Sequence, residues 1–203
     1  MNMSTILEIP KLPSSVTLDP PLTDEEFEKL CAANDLVQLE RTKEGTIIVN
    51  PPTGADSSDG NSEINYQLRA WWKQHRRGTV FESNAGFFLP DGSSLSPDAA
   101  YATAEQVGGL TKEDRKHFLR LTPAFVIELL SASDSLAEAR RKMESWIANG
   151  AKLGWLVDPY SRNVLVYEPG QSVRVEAGDK VAGADPVAGF DLDLAAVWTL
   201  YED

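Results

Sequence analysis

Pro123–Pro159 reads PAFVIELLSASDSLAEARRKMESWIANGAKLGWLVDP, and the order of its parts decides the fold. AFVIELL is an apolar run of strand length. SASDSLAEARRKMESWIANG carries an apolar stripe near 3.6-residue spacing (Leu136, Ala139, Met143 and Trp146 with Ile147) and stops on an Asn-Gly pair suited to a helix C-terminus. KLGWLVD is a second apolar run, stopped by Asp158-Pro159. Strand, helix and strand in that order predict a crossover unit within a sheet.

Working outward, NVLVYEP and SVRVEAG predict a C-terminal hairpin, and FDLDLAAVW closes the chain against the core. Upstream, TVFESN, GFFLP and PDAAYA read as strands, with Asp91-Gly92 as a turn. The stretch from Ala104 to Thr122 is mixed, with a short helix expected at KEDRKHFLR. SEINYQLRAWWKQHRR predicts a helix with Ile64, Leu68, Trp71 and Trp72 as its apolar stripe, and PPTGADSSDG before it reads as a loop. LVQLER and GTIIVN predict two antiparallel strands around Lys43-Glu44-Gly45. Thr23-Asp24-Glu25-Glu26 is a capping box that starts a further helix running to about Asn34. Pro10, Pro13, Pro20 and Pro21 forbid a regular helix in residues 1–22, which are expected to run extended. The class is α+β: a mixed central β-sheet flanked by helices, with an added N-terminal helix and strands and a C-terminal hairpin, as one domain over residues 23–203.

The chain has 203 residues, 42% of them hydrophobic and 25% charged, enough to bury a core without staples. A single cysteine, Cys31, excludes an internal disulfide framework and a cysteine-cluster zinc site. The start of the chain lacks the basic and apolar regions of a signal peptide, and no apolar run approaches a membrane span, so a cytoplasmic protein with no membrane partner is expected. A net charge of -12 argues against a protein that coats nucleic acid, but an enzyme needs only a local basic surface.

Glu128 stands out because period-two alternation sets it on one strand face with Ala124, Val126 and Leu130. A carboxylate in an apolar strand is costly to bury unless it is paired, hydrogen-bonded or bound to metal. The competing reading places it at the solvated sheet rim. Asp98, at the start of the PDAAYA strand, gains meaning as its partner: two carboxylates on neighbouring strands suit a hard cation such as Mg²⁺ or Mn²⁺. Lys142 flanks the inward stripe of its helix and can reach over the sheet, although local pattern alone favours an exposed pair with Glu138, four residues earlier. Glu63 is expected in the first turn of its helix, where the helix dipole suffices to explain it. Lys73, Arg76 and Arg77, with His75, form the strongest basic cluster; it would meet a phosphate backbone or simply cap the cationic end of the helix. His117, among Arg115, Lys116 and Arg120, fits a solvated face. Gly-rich phosphate loops, GxSxG elbows and HExxH motifs are absent.

GFFLPDGSSLSPDAAYA, the quoted Pro123–Pro159 segment and the preceding GNSEINYQL together closely resemble the Uma-two-type restriction endonuclease family of the PD-(D/E)xK superfamily. The resemblance spans about Thr23 to Pro169. It implies a restriction-endonuclease-like core, a metal-dependent endonuclease acting on DNA, Asp98 at the PD position and Glu128 at the D/E position as metal ligands, and Glu63 as the supporting first-helix glutamate. It also implies a departure: Leu130 stands where the motif calls for lysine, and Lys142 of the following helix is the matching residue. Two other readings stay open, a non-catalytic binding or assembly protein of this fold and a phosphodiesterase of small nucleotides. A homodimer is expected, since it would cut both strands and cover exposed tryptophan-rich and hairpin surfaces.

Overall fold

A computed structural model of the chain describes residues 14–202. Six strands form the main sheet, in the order β11-β10-β9-β8-β7-β4: β4 is Thr79–Glu82, β7 Ala99–Ala102, β8 Phe125–Leu129, β9 Leu153–Asp158, β10 Asn163–Tyr167 and β11 Arg174–Ala177. Only β8 and β9 run parallel, and α4 (Leu136–Ala148) connects them. This is the expected crossover unit, and β10–β11 is the expected hairpin.

The alternation in β8 splits the core. Phe125, Ile127 and Leu129 face α2 (Ala55–His75) and α5 (Leu194–Trp198), packing with Ile64, Leu68, Val197 and Trp198. Val126 and Leu130 face α4, packing with Met143 and Trp146. Helices thus cover both faces, as a sheet with a crossover helix requires. The approach of α4 depends on Gly154 in β9: a Cβ there would stand 2.2 Å from the Met143 sulfur.

A second sheet, β1-β3-β2-β6-β5, comprises β1 (Ser14–Val16), β2 (Gln38–Arg41), β3 (Ile47–Asn50), β5 (Phe87–Phe88) and β6 (Ser94–Leu95). Helix α1 (Asp24–Ala33), started by the expected Thr23–Glu26 capping box, packs Phe27 onto Leu39, Ile47, Val49 and Phe88 of this sheet. A small pair, β12 (Lys180–Ala182) with β13 (Asp191–Asp193), closes the other end.

Several expectations need correction. PPTGADSSDG is only partly a loop, because α2 begins at Ala55 after an extended Gly54. Gly60 lies within the helix despite its poor propensity, and glycine is needed there because a side chain would strike Leu129 Cδ2 at 2.7 Å and Tyr201 at 2.8 Å. Glu63 is therefore well inside the helix, and the first-turn dipole does not account for it. The helix expected from Ser131 starts at Leu136, because Ser131–Asp134 forms a hydrogen-bonded turn. Helical structure in 104–122 is a five-residue α3 (Ala104–Gly108) and a single 3-10 turn at Asp114–Lys116. The extended segment expected over 1–22 falls mostly outside the described residues; of what is described, Ser14–Val16 pairs with β3. Trp71, Trp146, Trp155 and Trp198 are buried, so no tryptophan-rich surface is present among the described residues. No described helix is long and apolar enough to cross a membrane.

Candidate active site

β7 and β8 are antiparallel with Ala99 opposite Ile127, and continuing that register by one pair sets Asp98 against Glu128. The two residues therefore stand side by side at the same end of the sheet, Glu128 bonded from α4 and Asp98 from α2. Asp98 is fixed there by three neighbours: its Oδ2 accepts from the Leu129 N–H at 2.8 Å, its Oδ1 from Asn61 Nδ2 at 2.8 Å, and its carbonyl from Asn65 Nδ2 at 2.9 Å. Glu128 is buried and accepts from the Trp146 indole at 2.8 Å and from Lys142 Nζ at 3.0 Å. Lys142 and Trp146 lie one turn apart on α4, so a single helix face supplies both donors. Between the two readings of Lys142 the geometry chooses the inward one; Glu138 pairs with Arg141.

The Lys142 ammonium has two further partners, the Ser96 carbonyl at 2.8 Å and Glu40 Oε1 at 2.9 Å. Glu40, in β2, is buried and also accepts from the Ser96 N–H at 2.9 Å. The cluster thus holds Glu40, Asp98 and Glu128 against one ammonium. Burial pushes the Glu128 carboxyl up to about 8, with Asp98 and Glu40 adding to the rise while Lys142 and the Trp146 bond oppose it. Burial also raises Asp98, against Lys142 and the bonds from Leu129 and Asn61. For Lys142, burial works against the charge, but Glu128, Glu40 and Asp98 outweigh it and hold the ammonium well above its ordinary pKa. Strong perturbation of several groups in one recess is a pattern of functional sites.

The donor set suits a hard divalent cation. Each carboxylate oxygen of Asp98 and Glu128 has a single hydrogen-bond donor and keeps acceptor capacity. The Asn61 Oδ1, beside Asp98, is buried without a partner. Among the described residues no three carboxylate, histidine or cysteine side chains converge as a preformed cage. That leaves two carboxylates to be completed by water and substrate oxygens, a usual arrangement for Mg²⁺.

The other expected residues sit elsewhere. α2 turns Asn61 and Asn65 towards Asp98, whereas the Glu63 carboxylate accepts from Gln67 Nε2 at 2.8 Å. Lys73 and Arg76 lie at the far end of α2, and Lys73 is about 18 Å along the axis from Asn61 at 1.5 Å per residue. Arg77 follows the Arg76 cap and is exposed. His117 is tied to Glu28 at 3.1 Å and Arg120 to Asp24. Missed by the sequence reading were Glu40, Asn61, Asn65 and Ser96, and the polar role of Trp146. Glu40 carried a usable signal, a carboxylate inside a strand pattern, the same signal that marked Glu128.

A sheet flanked by helices on both faces, with an aspartate, a glutamate and a helix-borne lysine meeting at one end, defines a restriction-endonuclease-like fold. A family model described as "Uma2: Putative restriction endonuclease" matches residues 24–195, and the chain belongs to this family. Its fold is similar to that of a "putative nuclease belonging to DUF820" from Anabaena variabilis ATCC 29413, with a TM-score of 0.74 and 23% identity over 90% of this chain and 100% of that one. No functionally curated protein matches the sequence.

Proposed function

We propose that the protein is a metal-dependent endonuclease that hydrolyses DNA phosphodiester bonds, with Asp98 and Glu128 as ligands of Mg²⁺ or Mn²⁺ and Lys142 as the cationic catalytic group. One observation carries the reading: Lys142 stands between two buried glutamates, beside an aspartate held by a backbone N–H and an asparagine. The bound ion supplies Lewis-acid polarisation of the phosphate and a more acidic water. Asp98 and Glu128 present oxygens for that ion at the sheet end. Lys142 is oriented by Glu128, Glu40 and the Ser96 carbonyl to stabilise negative charge as it develops on the phosphate. Asn61 and the Leu129 N–H hold the Asp98 carboxylate in one orientation. Glu63 has no part in this assignment.

Family membership supports a nuclease, and a nuclease needs a nucleic acid substrate. Metal dependence, DNA as the substrate and endonucleolytic cutting are the proposal. So is the homodimer, whose remaining support is the exposed Val173 and Val175 on and beside the edge strand β11; a monomer mass in solution rejects it.

The test is cleavage of supercoiled plasmid in Mg²⁺ or Mn²⁺ by wild type, Asp98→Ala and Glu128→Ala. Metal-dependent nicking that falls by about 10²–10³-fold in both variants is expected, the order lost when one electrostatic catalytic group is removed. Equal cleavage by all three proteins, or none by wild type, would overturn the assignment.

A further inference from the structure

Asp98 and Ser96 of the candidate site line a groove of about 870 Å³, together with Thr53 and Ser83. Thr53 and Ser83 also border a second recess of about 290 Å³ formed with Ser58, Asn61, Ser62 and Asn65 of α2. The two recesses thus share wall residues, and the smaller one is walled by α2, whose Asn61 also donates to Asp98.

That face has an order of its own. Ser58, Ser62, Tyr66, Arg69 and Lys73 are all exposed, and their spacings of four, four, three and four residues align them in one stripe along the helix. Arg76, also exposed, continues the stripe at the cap. Tyr66 is 68% exposed, an aromatic ring with no burial to explain it. The Arg69 guanidinium stacks 4.4 Å over the Trp72 ring; stacking holds its plane while leaving N–H edges for an oxyanion. From Ile64 to Phe81 the sequence contains Arg69, Lys73, Arg76 and Arg77 and not one Asp or Glu. In a chain of net charge -12, this is where a polyanion meets no repulsion along the helix. The carboxylates near its start are Asp56, Asp59 and Glu63 of the same helix and Glu82 on the wall of the smaller recess, so the first phosphate contact falls at Arg69 and not within that recess.

We infer that the outer face of α2 is the track that leads single-stranded nucleic acid to the Asp98–Glu128 site, with Tyr66 stacking on a base and Arg69, Lys73 and Arg76 meeting successive phosphates. This rests on the nuclease reading for what happens at the end of the track, but not for the binding itself. A ring standing free beside cations one turn apart is the combination that holds unpaired strands, because each unstacked base offers a π-face. A duplex hides those faces, which is why the single strand is the occupant.

The experiment measures anisotropy of a short fluorescein-labelled single-stranded DNA of mixed sequence, and of its duplex, over a salt series in EDTA. Wild type is compared with Tyr66→Ala, Tyr66→Phe and the double variant Arg69→Ala/Lys73→Ala. All of these positions are exposed, so the variants fold. Tyr66→Ala is expected to weaken single-strand binding by about 10-fold or more, Tyr66→Phe to retain it, and the double variant to lower the salt slope by about 1.4. Unchanged affinity in every variant, no salt-dependent binding by wild type, or a preference for duplex that ignores Tyr66 would overturn the inference. Strand binding through this face without plasmid cleavage would uphold it and reject the nuclease reading. Cleavage with normal binding by all the α2 variants would do the reverse.

Discussion

Two neighbouring residues of β2, Glu40 and Arg41, are both buried, and each joins a different ionic cluster. Arg41 donates to Asp24, to the Leu22 carbonyl at 3.0 Å and to the Gly92 carbonyl at 3.0 Å, and Arg120 also reaches Asp24. Arg41 further lies over the Phe27 and Phe88 rings. That cluster has two cations for one carboxylate and a partner for each face of the buried guanidinium; it fastens α1 to the second sheet. Glu40 enters a cluster in which it and Glu128 share one ammonium, that of Lys142, with Asp98 acting on it electrostatically. A buried group without compensating charge costs stability, and folding alone gives no reason to bury two glutamates on one lysine. Under the proposed function, the first cluster holds the molecule together and the second would serve the chemistry.

Removing the buried cation of each cluster sharpens this comparison. Lys142→Ala leaves Glu128 and Glu40 buried and unpaired, and the loss of stability is expected at about 3–5 kcal/mol in metal-free protein, read by urea unfolding. Arg41→Ala is expected to cost about 3 kcal/mol because Asp24 keeps Arg120 and some water. Adding Mn²⁺ should restore part of the stability of Lys142→Ala and none of that of Arg41→Ala. Equal recovery, or none in either, breaks the distinction.

The smallest expected effect is acid sensitivity of the structural cluster. Burial works to raise the Asp24 pKa, but the bonds and charges of Arg41 and Arg120 outweigh it and hold the carboxyl below its ordinary value. A depressed folded-state pKa contributes stability that is complete above the unfolded value near 3.8 and is lost as pH falls through the folded value. Wild type and Asp24→Asn should therefore differ in melting temperature at pH 7 and converge as the pH falls well below the unfolded value. A gap that persists in strong acid would show that Asp24 acts by packing.

What the sequence made legible follows from the range of the forces involved. The β8–α4–β9 unit was readable because apolar spacing within each element announces its type and the chain order announces the crossover. Glu128 and Asp98 were readable for a related reason: a carboxylate in an apolar strand needs a partner. The start of α2 was not readable, since Gly54, Gly60 and the serines argue for a loop. Glycine at position 60 is required by its closeness to Leu129 and Tyr201, residues far away in the chain. That boundary error misplaced Glu63 and concealed Asn61 and Asn65, the residues that α2 turns to Asp98. Glu40 carried the same strand-carboxylate signal as Glu128, but LVQLER is less apolar than AFVIELL, and its partner Lys142 comes from a distant helix. Lys142 looked like half of a surface pair until the close approach of α4 at Gly154 set its ammonium over Glu128.

The account turns on Glu128 being a ligand held at a cost to the empty fold. Thermal unfolding of wild type and Glu128→Gln, each in EDTA and in Mn²⁺, tests this directly. The expected result is that wild type keeps a cooperative transition in EDTA and gains melting temperature with Mn²⁺, as a ligand of the native state must provide. Glu128→Gln should melt higher than wild type in EDTA, having lost a carboxylate raised to about 8 by burial, and should not respond to Mn²⁺. A Glu128→Gln protein that melts lower than wild type in EDTA and still responds fully to Mn²⁺ would contradict the account, leaving Glu128 a structural partner of Lys142.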